Sequence, residues 1–315
     1  MSLCKKHQGI WTLTTDILAP DFDGYSFVTD GVSMMDPVNS LIKPNLLSPQ
    51  SMVHVPGENL PWEVTAAARG MLHHHFYHSE VVGDDRDYYV YTPAGYDPAR
   101  KQLYPVLYLL HGYSDDASGW TAVGRAHVIL DNLIARGKAQ PMLMVMTLGY
   151  GDPAIVAPAT QAFRDAALRQ RSFDRFREAL YREVMPRIEK DYRASKDRTG
   201  HAIAGLSMGG AESLYVGLNA TDRFGYIGAF SSGGLGQDLL GQFPNLGASA
   251  NSQLRLLYIS CGADDSLIKF NRAFVDFLNT QQVHATLRET SGAHTWTVWR
   301  RNLAEFLPLL FQKKM

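Results

Sequence analysis

Cysteine is scarce in this chain of 315 residues: only Cys4 and Cys261 occur, far apart, and the second sits in the apolar run LLYISCG. Two such residues argue against a disulfide framework. Apolar runs are short as well. None approaches the ~18 residues of a membrane-crossing helix, and the first residues, MSLCKKHQGIW, lack the apolar core of a secretion signal. Neither sign of charge is in excess, with 30 Lys plus Arg against 31 Asp plus Glu. No basic face therefore invites nucleic acid, and no acidic surplus marks a solvating tail. Internal repeats and low-complexity tracts are also missing. What remains is length enough for one large α/β domain, or for that domain and a small module, with a core that folds without staples.

The first 60 or so residues differ from the rest. GIWTLTTDILAPDFDGYSFVTDGVSMMDPVNS mixes Thr, Tyr, Phe and Trp with frequent turn residues, the composition of short antiparallel strands and loops. About three strands can be counted, fewer than the ~7 of an immunoglobulin-type sandwich, so the segment is expected to draw its stability from docking on the larger C-terminal domain and to stand apart from the chemistry. VPGENLPWEV, with two prolines and a glycine, reads as a linker.

From about residue 70 strands alternate with helices. DYYVYT, YPVLYLLHG, PMLMVMTL, HAIAG, YIGAFSS, LRLLYIS and HATLRET have strand length, whereas RAHVILDNLIARG, FDRFREALYREVMPRIEKDY, LIKFNRAFVDFLNTQQ and NLAEFLPLLFQ have helical spacing. Such an order predicts a mostly parallel sheet with helices on both faces. In the second helix Phe173, Phe176, Leu180 and Val184 form one stripe, with Ser172 available as N-cap and Pro186 placed to kink the later turns. Residues 149–171 fit neither period and read as a lid or pocket wall.

The most informative stretch is HAIAGLSMGGAESLYVGL. Here G-x-S-x-G lies between a strand and a helix, where the glycines remove side chains that would clash at an abrupt turn and Ser207 is pushed outward in a strained conformation. A serine hydroxyl needs a base, and the base an orienting acid. Downstream, Asp264 and Asp265 follow the strand LRLLYIS and His294 follows the last strand, both at carboxyl ends where such folds keep their chemistry. The order Ser207, Asp265, His294 suits a nucleophile with its acid and base. Only one of two successive carboxylates can point at His294, and the spacing Gly262-x-x-Asp265 favours the second. An oxyanion requires two N–H donors. Met208, opening the helix, supplies one, and Tyr113, after the strand end His111-Gly112, the other; His111 itself is expected to be structural, with Gly112 permitting a tight turn.

LLHGYSDDASGW, GRAHVILDNLIARGKAQPMLMVM, IAGLSMGG and CGADDSLI together resemble the esterase D group of α/β hydrolases, and within it the bacterial feruloyl and acetyl xylan esterases of carbohydrate esterase family one. The resemblance covers residues 70–312. It implies an α/β-hydrolase fold over residues 61–315, a triad of Ser207, Asp265 and His294, an oxyanion hole of Tyr113 and Met208, and no metal or organic cofactor. Residues 1–60 are similar to the later strands of an early-set immunoglobulin-like module, related to glycogen-binding modules, whose first half is absent. Substrates implied are small esters or esterified polysaccharide, with no nucleic-acid or membrane partner. Plant-wall members are usually exported, so a secreted or periplasmic protein is expected, shortened here at its N-terminus. The alternatives are a siderophore esterase, to which Arg164, Arg169 and Arg171 would lend a basic pocket, an S-formylglutathione hydrolase, which would lack the N-terminal module, and a carbohydrate-binding protein on an esterase scaffold.

Some residues stand outside this pattern. His73, His74, His75 and His78 cluster on an early strand, but no third ligand at metal spacing accompanies the two that share a face. Trp296, two residues after His294, is the leading aromatic candidate for the pocket, with Trp120 second and Trp299 considered beside them; large aromatics are more often core.

Overall fold

The computed structural model describes residues 5–7, 10–157 and 162–312. Cys4 lies outside them, and Cys261 is a buried free thiol. Buried central strands and two more polar edge strands build an eight-stranded sheet in the order Thr286–Thr290, Leu256–Gly262, Tyr226–Phe230, His201–Leu206, Val106–Leu110, Leu143–Thr147, Asp84–Thr92, Met71–Ser79. The six strands from Val106–Leu110 onward pair in parallel, and Asp84–Thr92 pairs antiparallel with both its neighbours.

Alternation along the strands divides the core. Tyr108 and Leu110 face the helices Ala166–Ala179, Met208–Leu218 and Ile268–Thr280, while Leu107 and Leu109 face Ala126–Ala135 and Trp296–Phe306. The resulting three layers match the expected α/β hydrolase architecture. Among the described residues no helix is long and apolar enough to cross a membrane.

Two helix boundaries differ from expectation. The second begins at Ala166, where the Asp165 carboxylate accepts from the N–H groups of Ala167 and Leu168; Ser172, expected as the cap, is buried within the helix, its hydroxyl accepting from Asp152 N–H at 3.3 Å. Asp165 wins because its carboxylate satisfies two orphan donors. The stripe Phe173, Phe176, Leu180 and Val184 is buried as predicted. Ahead of Pro186 the helix widens into a π turn over Leu180–Val184, the adjustment expected where proline removes a donor and crowds the preceding turn. The last helix starts at Trp296, earlier than the periodicity of NLAEFLPLLFQ suggested.

The N-terminal segment holds more strands than the three counted in its sequence. Lys5–His7 pairs with Ile10–Thr12, Gln50–Val55 lies between Asp21–Tyr25 and Ile42–Lys43, and Phe27–Thr29 pairs with Val32–Met34, all antiparallel. Asp30 and Gly31, both at positive φ, close the last hairpin. Turns this tight split what composition reads as single strands. Nor does VPGENLPWEV hang free: Trp62 is buried, and the Asn132 amide donates to the carbonyls of Pro61 and Glu63, each at 2.8 Å.

Docking of this segment centres on a buried ion pair. Arg300, wholly buried on the helix after His294, donates to Asp21 at 2.6 Å, to Phe22 O at 2.8 Å and to Val123 O at 2.8 Å. Phe22, Met52 and Trp62 complete the contact by joining the core on that face. Asp21→Ala leaves the guanidinium buried without its counter-charge and is expected to cost about 3 kcal/mol, seen as a drop of several degrees in the melting temperature. An unchanged transition would show that this pair does not hold the segment.

Candidate active site

The turn at Ser207 is dictated by its surroundings. A strand passing directly into a helix brings backbone against backbone: a Cβ on Gly205 would lie 2.5 Å from the Gly209 carbonyl carbon, and one on Gly209 2.3 Å from His111 O. Only glycine fits at these two positions. Ser207 itself takes φ 53 and ψ −115, a conformation that L-residues rarely adopt. Its N–H donates to Phe230 O at 2.8 Å and its carbonyl accepts from Gly233 N–H at 3.1 Å, so the sheet and the following loop hold the strained residue from both sides.

Asp265 and His294 meet Ser207 from the ends of two other parallel strands. His294 Nε2 lies 3.0 Å from Ser207 Oγ, and His294 Nδ1–H donates to Asp265 Oδ2 at 2.8 Å. Asp265 Oδ1 also accepts from Leu267 N–H at 2.8 Å. Burial alone raises the Asp265 pKa, but the hydrogen bonds from His294 and Leu267 outweigh it and hold the carboxyl below its ordinary value. The pair of adjacent carboxylates is resolved geometrically: Asp264 is exposed, with its N–H on Gly292 O. Trp299 sets its ring edge-to-face on His294, centroids 4.8 Å apart, and limits how the imidazole can turn.

Met208 follows Ser207 in the chain, and Tyr113 lines the same cavity as Ser207. Neither N–H donates to a protein acceptor among the described residues. Gly112 is required for close approach more than for a tight turn, since its Cβ would stand 2.5 Å from the Leu206 side chain and 3.4 Å from Ser207 Cβ. His111 is buried with Nδ1 donating to Gly112 O at 2.8 Å and Nε2 accepting from Gly149 N–H at 2.9 Å. Burial pulls its pKa down to about 4, which suits this neutral, structural role.

A cavity of about 430 Å³ opens onto Ser207 and His294. Its lining includes apolar side chains, Trp296, Trp299, Val123 and Leu206 with Phe22 and Met52, and polar ones, Asp23, Lys43, Asn45, Ser48 and Gln50. The N-terminal segment contributes to both sets, contrary to the expectation that it stands apart from the chemistry. Nothing in the spacing of the motif residues points to these positions.

Other expectations fare differently. Trp296 lines the cavity, but Trp120 does not: it is wholly buried, its indole N–H donating to Leu110 O at 2.8 Å, so it is a core residue satisfied inside the fold. Among its described residues the stretch 149–171 packs behind the Gly112–Asp115 turn and contributes no lining residue; Tyr150 OH donates to Asp115 O at 2.8 Å, and Phe163 packs on Tyr113 at 4.6 Å between centroids. Residues 158–161 of that stretch lie outside the described residues. Arg169 donates to Gly234 O and Phe163 O, Arg171 pairs with Asp152, and neither these nor Arg164 reaches the cavity lining. In the histidine cluster His73 faces Thr92, His74 Asp87, His75 Tyr192 and His78 Asp85. No group of three or more His, Cys, Asp or Glu among the described residues is placed to hold a metal ion.

The Esterase family model matches residues 79–310. An endo-1,4-β-xylanase/feruloyl esterase of Xylanibacter ruminicola is 28% identical over 320 residues, covering 98% of this chain, which spans 41% of that relative's length. Among solved structures, a ferulic acid esterase of Anaeromyces mucronatus in complex with ferulic acid superposes with a TM-score of 0.68 at 24% identity, covering 79% of this chain and 93% of that one. The enterobactin esterase of Shigella flexneri superposes with a TM-score of 0.70 at 20% identity, covering 97% and 83%. At these identities the two structural likenesses concern the fold.

Asp265→Asn is expected to lower kcat by ~10⁴, because the imidazole loses the acceptor that fixes its tautomer, while Asp264→Asn stays near wild type. Steady-state rates at saturating substrate rank the two; the reverse order would move the acid to Asp264. A second expectation concerns Glu212 on the helix Met208–Leu218, buried with neither carboxyl oxygen hydrogen-bonded among the described residues. Burial raises its pKa well above 4.5. The folded chain then keeps a proton that the unfolded chain loses, so this group's contribution to stability falls as pH rises past 4.5. Glu212→Gln should therefore flatten the decline in melting temperature between about pH 5 and 8; an unaltered slope would show that Glu212 is not protonated in the fold.

Proposed function

The chain belongs to the Esterase family, and from that premise we propose that it is a serine carboxylic-ester hydrolase working through an acyl-enzyme, with feruloyl or acetyl esters of plant cell-wall polysaccharide as substrate. The observation that carries the reading is the continuous hydrogen-bonded chain from Asp265 through His294 to Ser207 at the floor of an open cavity. Ser207 Oγ attacks the ester carbonyl while His294 Nε2 takes its proton, and the Asp265 carboxylate stabilises the resulting imidazolium. The N–H groups of Tyr113 and Met208 receive the developing oxyanion, the second aided by the positive end of its helix. Collapse of the tetrahedral species expels the alcohol, which takes the proton from Nε2. Water then repeats the sequence: His294 accepts its proton, hydroxide adds to the acyl carbon, and Ser207 leaves reprotonated with the free acid as product.

Cavity chemistry supports the substrate class. Trp296, Trp299 and Phe22 offer aromatic faces to an acyl group, whereas Lys43, Ser48, Gln50 and Asp23 offer donors and acceptors to a hydroxyl-rich carrier alcohol. A feruloylated or acetylated sugar presents that combination. A polymeric substrate of this kind is met outside the cell, which favours a secreted or periplasmic protein.

Ser207→Ala is expected to abolish hydrolysis of methyl ferulate and acetylated xylan with the fold intact. Rates near wild type would overturn the serine mechanism. The same assay offered a catecholate siderophore and S-formylglutathione separates the substrate classes: preference for either of these would replace the plant-wall reading while keeping the mechanism.

A further inference from the structure

The oxyanion turn is held by a residue far away in sequence. Residues 112–115 form a turn closed by Asp115 N–H donating to Gly112 O at 3.2 Å, and its third residue, Ser114, sits at φ 66. A turn with positive φ at that position ordinarily takes glycine or asparagine. Serine there requires outside support. Asn45 provides it: its Nδ2 donates to Ser114 Oγ at 2.9 Å and to Asp115 Oδ1 at 3.1 Å, and the next residue's N–H, that of Leu46, donates to Ser114 O at 2.7 Å. Asn45 is itself fixed, because its Oδ1 accepts from the N–H groups of Leu47 and Ser48 at 3.0 and 2.8 Å. The clasp is anchored in the fold on its far side as well, for Asp115 is buried and its carbonyl accepts from Tyr150 OH.

We infer that Asn45 is a positioning residue for catalysis, holding the Gly112–Asp115 turn in the conformation that directs the Tyr113 N–H at the oxyanion. The inference rests on the serine-hydrolase reading above. Without the two amide hydrogen bonds, Ser114 is free to leave the left-handed region, and the peptide planes on either side rotate with it. Asn45 also lines the cavity; where the replacement keeps its size substrate still enters, but the charge that develops on the carbonyl oxygen loses one donor. The defect belongs to the transition state and so appears in kcat.

Asn45→Asp isolates this role. It keeps the acceptor that fixes Leu47 and Ser48, removes the donor, and sets a second carboxylate against Asp115. With a small aryl ester, kcat is expected to fall about ten- to hundredfold with KM within about twofold of wild type. Adding Asp115→Asn exchanges donor and acceptor across the pair and should recover most of the loss. Ser114→Ala, which removes one acceptor without adding charge, gives a smaller fall in kcat in the same direction and serves if Asn45→Asp does not fold. A kcat at the wild-type level in Asn45→Asp, a change confined to KM, or a double variant no better than the single one would overturn the inference. Ser207→Ala run alongside separates the two levels: if it is inactive while Asn45→Asp equals wild type, only the role of Asn45 fails, whereas activity in Ser207→Ala removes the reading on which it stands.

Discussion

Everything at this site depends on one strained residue. Ser207 holds a backbone conformation that costs of the order of 1–3 kcal/mol, and it keeps it because a central strand ends there against neighbours that leave no alternative path. Gly205 and Gly209 touch backbone to backbone, and the carbonyl of His111 presses on the second of them. The same compression that exposes the hydroxyl aligns the start of the next helix beneath it. Parallel pairing does the rest. Strands running the same way deliver the loops bearing Asp265 and His294 to the same edge of the sheet, where the two side chains reach Ser207 in sequence.

The N-terminal segment is tied into this arrangement at two points. Asp21 meets Arg300 on the helix after His294, and Asn45 meets the turn that carries Tyr113. Residues beside both contacts, Phe22 and Ser114, line the cavity. An attached module that only bound a glycan would not need both. Burial pushes the Asp115 carboxyl up to about 7, against the opposing influence of Asn45 and Lys43.

What could be read from the sequence was whatever depends on local geometry. The glycines around Ser207, the carboxyl ends of strands and the order of nucleophile, acid and base follow from short-range sterics and from the direction of parallel strands, and the structure brings Ser207, Asp265 and His294 into contact. Asp265 could be preferred to Asp264 for the same reason. Contacts made across long stretches of chain were not legible. Asn45 and Ser114 are separated by 69 positions, and nothing periodic marks either. Trp120 illustrates the opposite limit: an aromatic large enough to stack on a substrate reads as a pocket candidate, yet its indole N–H finds a carbonyl inside the core. Ser172 lost the helix cap to Asp165 because a carboxylate reaching two N–H groups is the stronger partner, a choice that spacing alone does not reveal.

The central claim is that acyl groups pass through Ser207 as a covalent ester. Its most direct test is intact-protein and peptide mass spectrometry after rapid acid quench during turnover of a slowly deacylating aryl ester. The account predicts a mass increase equal to the acyl group minus one hydrogen, confined to the peptide containing Ser207. Steady turnover with that peptide unmodified, or the acyl group found on a different residue, would contradict it.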